Sequence, residues 1–158
     1  MKKVIKNQTR TIVVFIFLFI LIIPTACNKS KYRSRKLDGD KWIAKEMTVD
    51  GVAETSPPEL LFKECDIYKE SCSGTWITPN GGRGQFAWQF RNKGKEFELS
   101  NQTDHVHGIE DVKAGEQCIK YTGVYTVIES KFKSLVIESE ITSGFTGKKV
   151  KIEFEKKD

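Results

Sequence analysis

The chain is poor in the residues that usually carry chemistry. Among 158 residues there are two His, four Cys, four Pro and two Met. His105 and His107 are the only imidazoles, two apart, with Asp104, Glu110 and Asp111 nearby. Imidazole with carboxylate is a zinc or copper donor set. The plainer reading is a pair of solvated loop residues, and no metal or cofactor is expected. Cys65, Cys72 and Cys118 fit no zinc-site spacing, and no neighbouring base is placed to make Cys72 a nucleophile. The glycines of Asn80-Gly81-Gly82-Arg83-Gly84 are followed by no Lys-Ser/Thr and no helical pattern, which excludes a phosphate loop and leaves a hairpin turn. No isolated pair of carboxylates suits acid–base work; those on the strands alternate with Lys on outward positions. Catalysis is therefore not expected. There is no internal repeat or low-complexity segment. The longest apolar run, Ile12 to Ile23, spans roughly 18 Å as a helix against a hydrocarbon core of about 30 Å.

That run has a context. Lys2, Lys3, Lys6 and Arg10 precede it, and Pro24-Thr25-Ala26-Cys27 follow. A basic start, an apolar middle and small residues at a cleavage site make a secretory signal. The Cys directly after the small residues resembles a bacterial lipoprotein signal, with Pro24 standing where Leu is common. The resemblance implies a signal peptide over residues 1–26 and lipidation of Cys27 as the first mature residue. A plain secretory signal and a retained anchor are the alternatives. A lipidated Cys carries at least two acyl chains of the palmitate kind, enough for stable anchoring at about 0.8 kcal/mol per buried CH₂. The expected location is the cell envelope, lipid-anchored in the outer membrane and facing the periplasm or the surface. Asn28 and Lys29 give no acidic cluster after Cys27, which favours the periplasmic side.

The formal charge of +5 is unevenly placed. From Leu37 onward there are 17 Lys and Arg against 21 Asp and Glu, a net of −4. The basic excess lies in the signal and in Lys29, Lys31, Arg33, Arg35 and Lys36. Residues 27–40 read as a lipidated basic tether, attracted to anionic headgroups or simply solvated. An acidic folded part disfavours nucleic acid. Residues 41–158 make one domain, large enough for its own core.

Within it the pattern is almost wholly β. Lys41–Val49 reads as a first strand, Cys65–Glu70 as a second and Gly74–Thr78 as a third. Ser56-Pro57-Pro58-Glu59 has the form of a helix start and predicts one short helix through about Phe62. Phe86, Trp88 and Phe90 alternate with Gln85, Gln89 and Arg91. After Asn92-Lys93-Gly94, Phe97 and Leu99 alternate with Glu96, Glu98 and Ser100. Period two with one polar face means half-buried strands, and the Asn-x-Gly between them a hairpin. Residues 101–117 read as the longest loop. Ile119, Tyr121, Tyr125 and Val127 then alternate with polar residues, with Gly123 as a bend. Leu135, Ile137 and Ile141, then Val150, Ile152 and Phe154, give the last two strands.

Eight short antiparallel strands hide their edges by closing into an up-and-down barrel; a two-sheet sandwich is the alternative. In such a meander Cys65 and Cys118, each opening a strand, lie at one end and Cys72 at the other, so Cys65–Cys118 is the expected disulfide.

From about Leu37 to Lys157 the chain resembles the lipocalin-like domains of lipoproteins from Bacteroidetes-type bacteria. The residues that carry the likeness are Gly39 with Trp42, Cys65-Asp66-Ile67-Tyr68, Gly74-Thr75-Trp76, Phe86-Ala87-Trp88-Gln89-Phe90, Lys95-Glu96-Phe97-Glu98-Leu99, Tyr125-Thr126-Val127-Ile128-Glu129 and Ser134-Leu135-Val136-Ile137. The resemblance implies a calycin-like barrel.

The inward set is Trp42, Phe86, Trp88, Phe90, Phe97, Leu99, Tyr121, Tyr125, Leu135 and Ile137. It lines either an apolar pocket for a small hydrophobic molecule, with tyrosine hydroxyls to orient it, or a filled core. The first gives a lipid-anchored, monomeric binding protein. The second gives an envelope interaction module whose loops contact a partner protein.

Overall fold

A computed structural model describes residues 29–63, 65, 71–101 and 111–157. Nine strands form one antiparallel sheet: β1 (Lys41–Val49), β2 (Val52–Ala53), β3 (Glu59–Phe62), β4 (Cys72–Ile77), β5 (Arg83–Arg91), β6 (Glu96–Asn101), β7 (Gly123–Ser130), β8 (Ser134–Ser139) and β9 (Val150–Lys156). Each of β3 to β9 pairs with its successor, and β9 pairs back with β1 from Val150 opposite Val49 to Lys156 opposite Trp42. β1 also pairs with β3 at its start, so β1 and β3 to β9 close an eight-stranded up-and-down barrel. β2 is a short return on the end of β1. It is made by Asp50 and Gly51, both at positive φ, the geometry that a tight two-residue hairpin needs.

Alternation builds the barrel. In β5, Gly84, Phe86, Trp88 and Phe90 are buried while their neighbours are not, and β8 and β9 repeat the pattern. Register shifts between Ala44 and Glu46 and between Val127 and Glu129 supply the bends that closure requires. Gly74 is dictated by packing, because a Cβ there would run into the Phe86 ring.

Among the described residues, two helices flank the barrel. α1 (Lys29–Leu37) packs on β5 and on the Asn92–Gly94 turn, at the end where β1, β4, β6 and β8 begin. Gly39, at φ 70°, terminates it in the left-handed conformation common after helices. Arg33 donates from Nη1 to the Gly94 carbonyl, and Leu37, one turn on, enters the core. α2 (Val112–Lys120) packs on β4, β5 and β6 at the opposite end. Asp111 caps it, accepting from Lys113 N at 2.8 Å and Ala114 N at 3.2 Å.

Four expectations need correction. Residues 29–37 are not a loose tether but a helix docked on the barrel. Residues 59–62 are strand rather than helix: Leu60 and Phe62 point inward and pair with β4, and burial of that face outweighed the cap-like Ser56-Pro57-Pro58-Glu59. The loop expected over 101–117 contains most of α2, and the strand expected from Cys118 begins only at Gly123. Ile141 lies beyond the end of β8 and is exposed. The expected second strand, Cys65–Glu70, lies outside the described residues except for Cys65. So do the signal segment, Cys27, His105 and His107.

Candidate functional site

Among the described residues, the barrel interior and a groove on its outer wall are candidate sites. The ten expected pocket residues all face inward and are buried: Trp42 on β1, Phe86, Trp88 and Phe90 on β5, Phe97 and Leu99 on β6, Tyr125 on β7, Leu135 and Ile137 on β8, and Tyr121 just after α2. Several of them pack directly on one another. Phe62 stands edge-on to Phe86 at 5.7 Å, to Trp88 at 5.1 Å, to Phe97 at 6.3 Å and to Phe154 at 6.5 Å. Trp88 stacks on Phe97, which also meets Phe90 edge-on at 5.2 Å. A void able to hold a water leaves accessible surface on its walls. Trp42, Leu60, Phe62, Trp76, Phe86, Trp88, Phe97, Tyr125, Ile137 and Ile152 have none. These rings are close-packed.

α2 roofs this interior. Ala114 and Cys118 are its buried residues, and Gly84 of β5 lies so close below that a Cβ would come within 3.0 Å of the Ala114 carbonyl. Trp76 Nε1 donates to Gln117 Oε1 at 3.1 Å. The Trp76 ring stacks on Tyr121 at 5.5 Å, and Tyr121 meets Phe145 at 5.1 Å. Burial, then the adjacent Glu54 carboxylate, raises the Tyr121 phenol above its ordinary range. Tyr125 is raised chiefly by burial and donates to the Tyr121 carbonyl at 2.5 Å. Neither tyrosine hydroxyl titrates near neutrality. Burial pushes the Cys118 thiol up to about 12, so it is an inert core thiol.

The disulfide expectation is overturned. Cys65 bonds to Cys72, with Cα atoms 5.0 Å apart, and Cys118 is free and buried. The pairing argument assumed that Cys118 opens a strand beside Cys65. It sits instead on α2, at the far end of the barrel from both partners.

Sequence reasoning left Phe62 and Trp76 out of the site. Phe62 was hidden by the apparent helix start, although Leu60 and Phe62 already stand two apart, as inward strand residues do. The groove on the outer wall was also missed. It encloses about 490 Å³ and is lined by Glu96, Val124, Thr126, Ile128, Glu138, Glu140, Ile141 and Lys149, among others. Ile128 and Ile141 are 55% and 67% exposed. Ile128 follows the inward Tyr125 and Val127 and so faces outward by plain alternation, an exposed apolar residue on the polar side of its strand. Lys149 bridges Glu138 at 2.9 Å, which leaves the groove acidic through Glu96 and Glu140.

No family model matches the chain, and no curated protein matches it. Among solved structures it is similar to a lipocalin-like protein from Bacteroides uniformis, at 20% identity and a TM-score of 0.49, over 77% of this chain and 99% of that one.

Proposed function

We propose that this chain is a lipid-anchored envelope protein, held through Cys27 in the outer membrane, whose filled barrel is a rigid, non-catalytic interaction module. One observation carries the reading: the central rings that would line a ligand pocket pack on one another, with Phe62, Trp88 and Phe97 fully buried. The partner surface is the outer groove. Its exposed Ile128 and Ile141, beside Glu96 and Glu140, suit a protein segment bearing apolar and basic side chains. A monomer suffices for this role.

A second reading rests on Trp42. Its indole N–H is fully buried and has no hydrogen-bond partner among the described residues. A small apolar guest with one acceptor atom would satisfy it, on condition that the packed rings part to admit the guest. The deciding experiment is native mass spectrometry of the exported protein, followed by denaturing extraction. The expected result is a bare polypeptide mass, plus any acyl modification, and no uptake of a hydrophobic fluorescent probe. A co-purifying apolar molecule that survives native spraying overturns the filled-barrel reading in favour of the second.

A further inference from the structure

The end of the barrel capped by α1 is chemically unlike the rest of the surface. The segments that meet there are residues 29–40, 91–95, 131–133 and 156–157. Together they carry twelve Lys and Arg against Asp38 and Asp40. Counting the charged residues in the sequence between β3 and β4, three acidic and two basic, lowers the balance by one and does not change its sign. At the α2 end, the described segments 50–58, 78–83, 111–122 and 140–149 carry five residues of each sign. The folded domain is thus polarised although its net charge is negative.

Two further features fall on the basic end. Tyr32 is 58% exposed and Phe132 is 68% exposed, large rings set on a surface rich in Lys and Arg. Each lies under a cation, with Lys36 Nζ 5.1 Å from the Tyr32 ring and Lys156 Nζ 5.4 Å from the Phe132 ring. Lys31, Tyr32 and Arg35 form the outward side of α1, while Arg33 and Leu37 turn toward the barrel. Aromatic rings with long basic side chains are the chemistry of a membrane–water interface.

The chain enters at the same end. Cys27 stands two residues before α1, and one extended residue spans at most about 3.6 Å. An acyl group on Cys27 therefore holds Lys29 within roughly 7 Å of its attachment point. α1 is itself pinned to the barrel through Arg33 and Leu37, so an anchor there also fixes the barrel's orientation.

We propose that the α1 end is a membrane-docking face, which lies flat on the headgroups of an anionic leaflet through Lys31, Tyr32, Arg35, Lys131, Phe132 and Lys133. The α2 roof then points away from the membrane. The inference extends the anchoring proposal and is testable apart from it.

The test is lysine footprinting by mass spectrometry with an amine-reactive reagent. The full exported chain is bound to vesicles of phosphatidylcholine alone or with phosphatidylglycerol. In low salt with the anionic vesicles, modification of Lys93, Lys131 and Lys133 falls at least about threefold, while Lys113 and Lys148 at the other end are unchanged. Raising ionic strength to 1 M shortens the screening length to about 3 Å and restores labelling. The exposed double variant K131E/K133E loses the protection of Lys93. Flotation of the vesicles reports anchoring separately. If the protein does not float, Cys27 anchoring fails, and the footprint is read on soluble chain added to the same vesicles. Equal labelling of both ends in anionic and neutral vesicles overturns the docking face whether or not the protein is anchored.

Discussion

Both ends of this barrel are capped by a nine-residue helix, but by different means. At the α1 end the fastenings are covalent and polar. The Cys65–Cys72 bridge joins the β3–β4 connection to the start of β4. Asp38 Oδ1 accepts from Cys65 N at 2.6 Å, Lys156 pairs with Asp40 at 2.6 Å, and Arg33 holds the Gly94 carbonyl. At the α2 end the side-chain fastenings are mainly apolar: the Trp76–Tyr121–Phe145 stack and the seating of Ala114 and Cys118, with the Gln117–Trp76 hydrogen bond between helix and barrel wall. Val112 and Ile119 of α2 are left exposed. The barrel thus has a wired base and a packed roof. Directional bonds and a disulfide resist local opening, whereas a short packed helix is the kind of element that opens below the global unfolding free energy. If any part of this molecule yields to admit a guest, it is the roof.

The shared interior between the two ends sets the largest expected effect. Trp88 is enclosed by Phe62 and Phe97 and donates from Nε1 to the Ser73 carbonyl at 3.0 Å. Trp88→Ala should cost about 3–5 kcal/mol in urea melts, the range for a core aromatic. Gln89→Ala, on the outward side of the same strand, should change stability by about 0.5 kcal/mol or less. Similar losses from the two would break the inward–outward assignment on which both ends depend. Next is the base itself. Replacing Cys65 and Cys72 together by Ser releases a short loop, and the chain-entropy relation gives a loss of about 2.5 kcal/mol. Reduction of the wild-type protein should lower its urea midpoint to match. A bridge-free variant that melts with the wild type would show that the polar fastenings hold the base without the covalent one.

How legible these ends were in the sequence differs as well. The interior strands β5, β6, β8 and β9 announce themselves by strict alternation, since one face is buried throughout and the other is wet. Both ends were misread, for separate reasons. α1 has no apolar stripe; its sequence is Lys, Arg and Ser with one Tyr and one Leu, and Leu37 and the Arg33–Gly94 contact hold it to the barrel. Nothing in such a segment distinguishes a tether from a docked helix. α2 is short, and its last residues continue without a Gly or Pro into an alternating run, so Ile119 and Tyr121 imitate a strand that starts only at Gly123. The turn from helix to strand there is forced by close packing: a Cβ on Gly123 would lie 2.8 Å from the Ile141 carbonyl. The disulfide followed the same error, because the expected pairing took its geometry from a strand that is a helix. Whether the interior is full or empty was never in the pattern. Alternation reports which side chains face inward, and only the ring-to-ring distances show that they meet.

The smallest expected effect is also the sharpest probe of the roof. Gln117→Ala removes the acceptor from Trp76 Nε1 and leaves that fully buried donor without a partner. The cost is about 1–3 kcal/mol, from the desolvated N–H rather than from the lost bond alone. If the roof is a separate unit, that cost falls on its closed state, and Cys118 reports it. The thiol is buried, and its high pKa keeps it from reacting while α2 is seated. Labelling by an alkylating reagent, read at the Cys118 peptide, therefore measures lifting of α2. A destabilisation of about 1.4 kcal/mol confined to the roof speeds labelling about tenfold while β-barrel circular dichroism is unchanged. If labelling instead accelerates only in urea concentrations where the barrel melts, α2 opens with the whole fold. The two ends then differ in chemistry but not in stability.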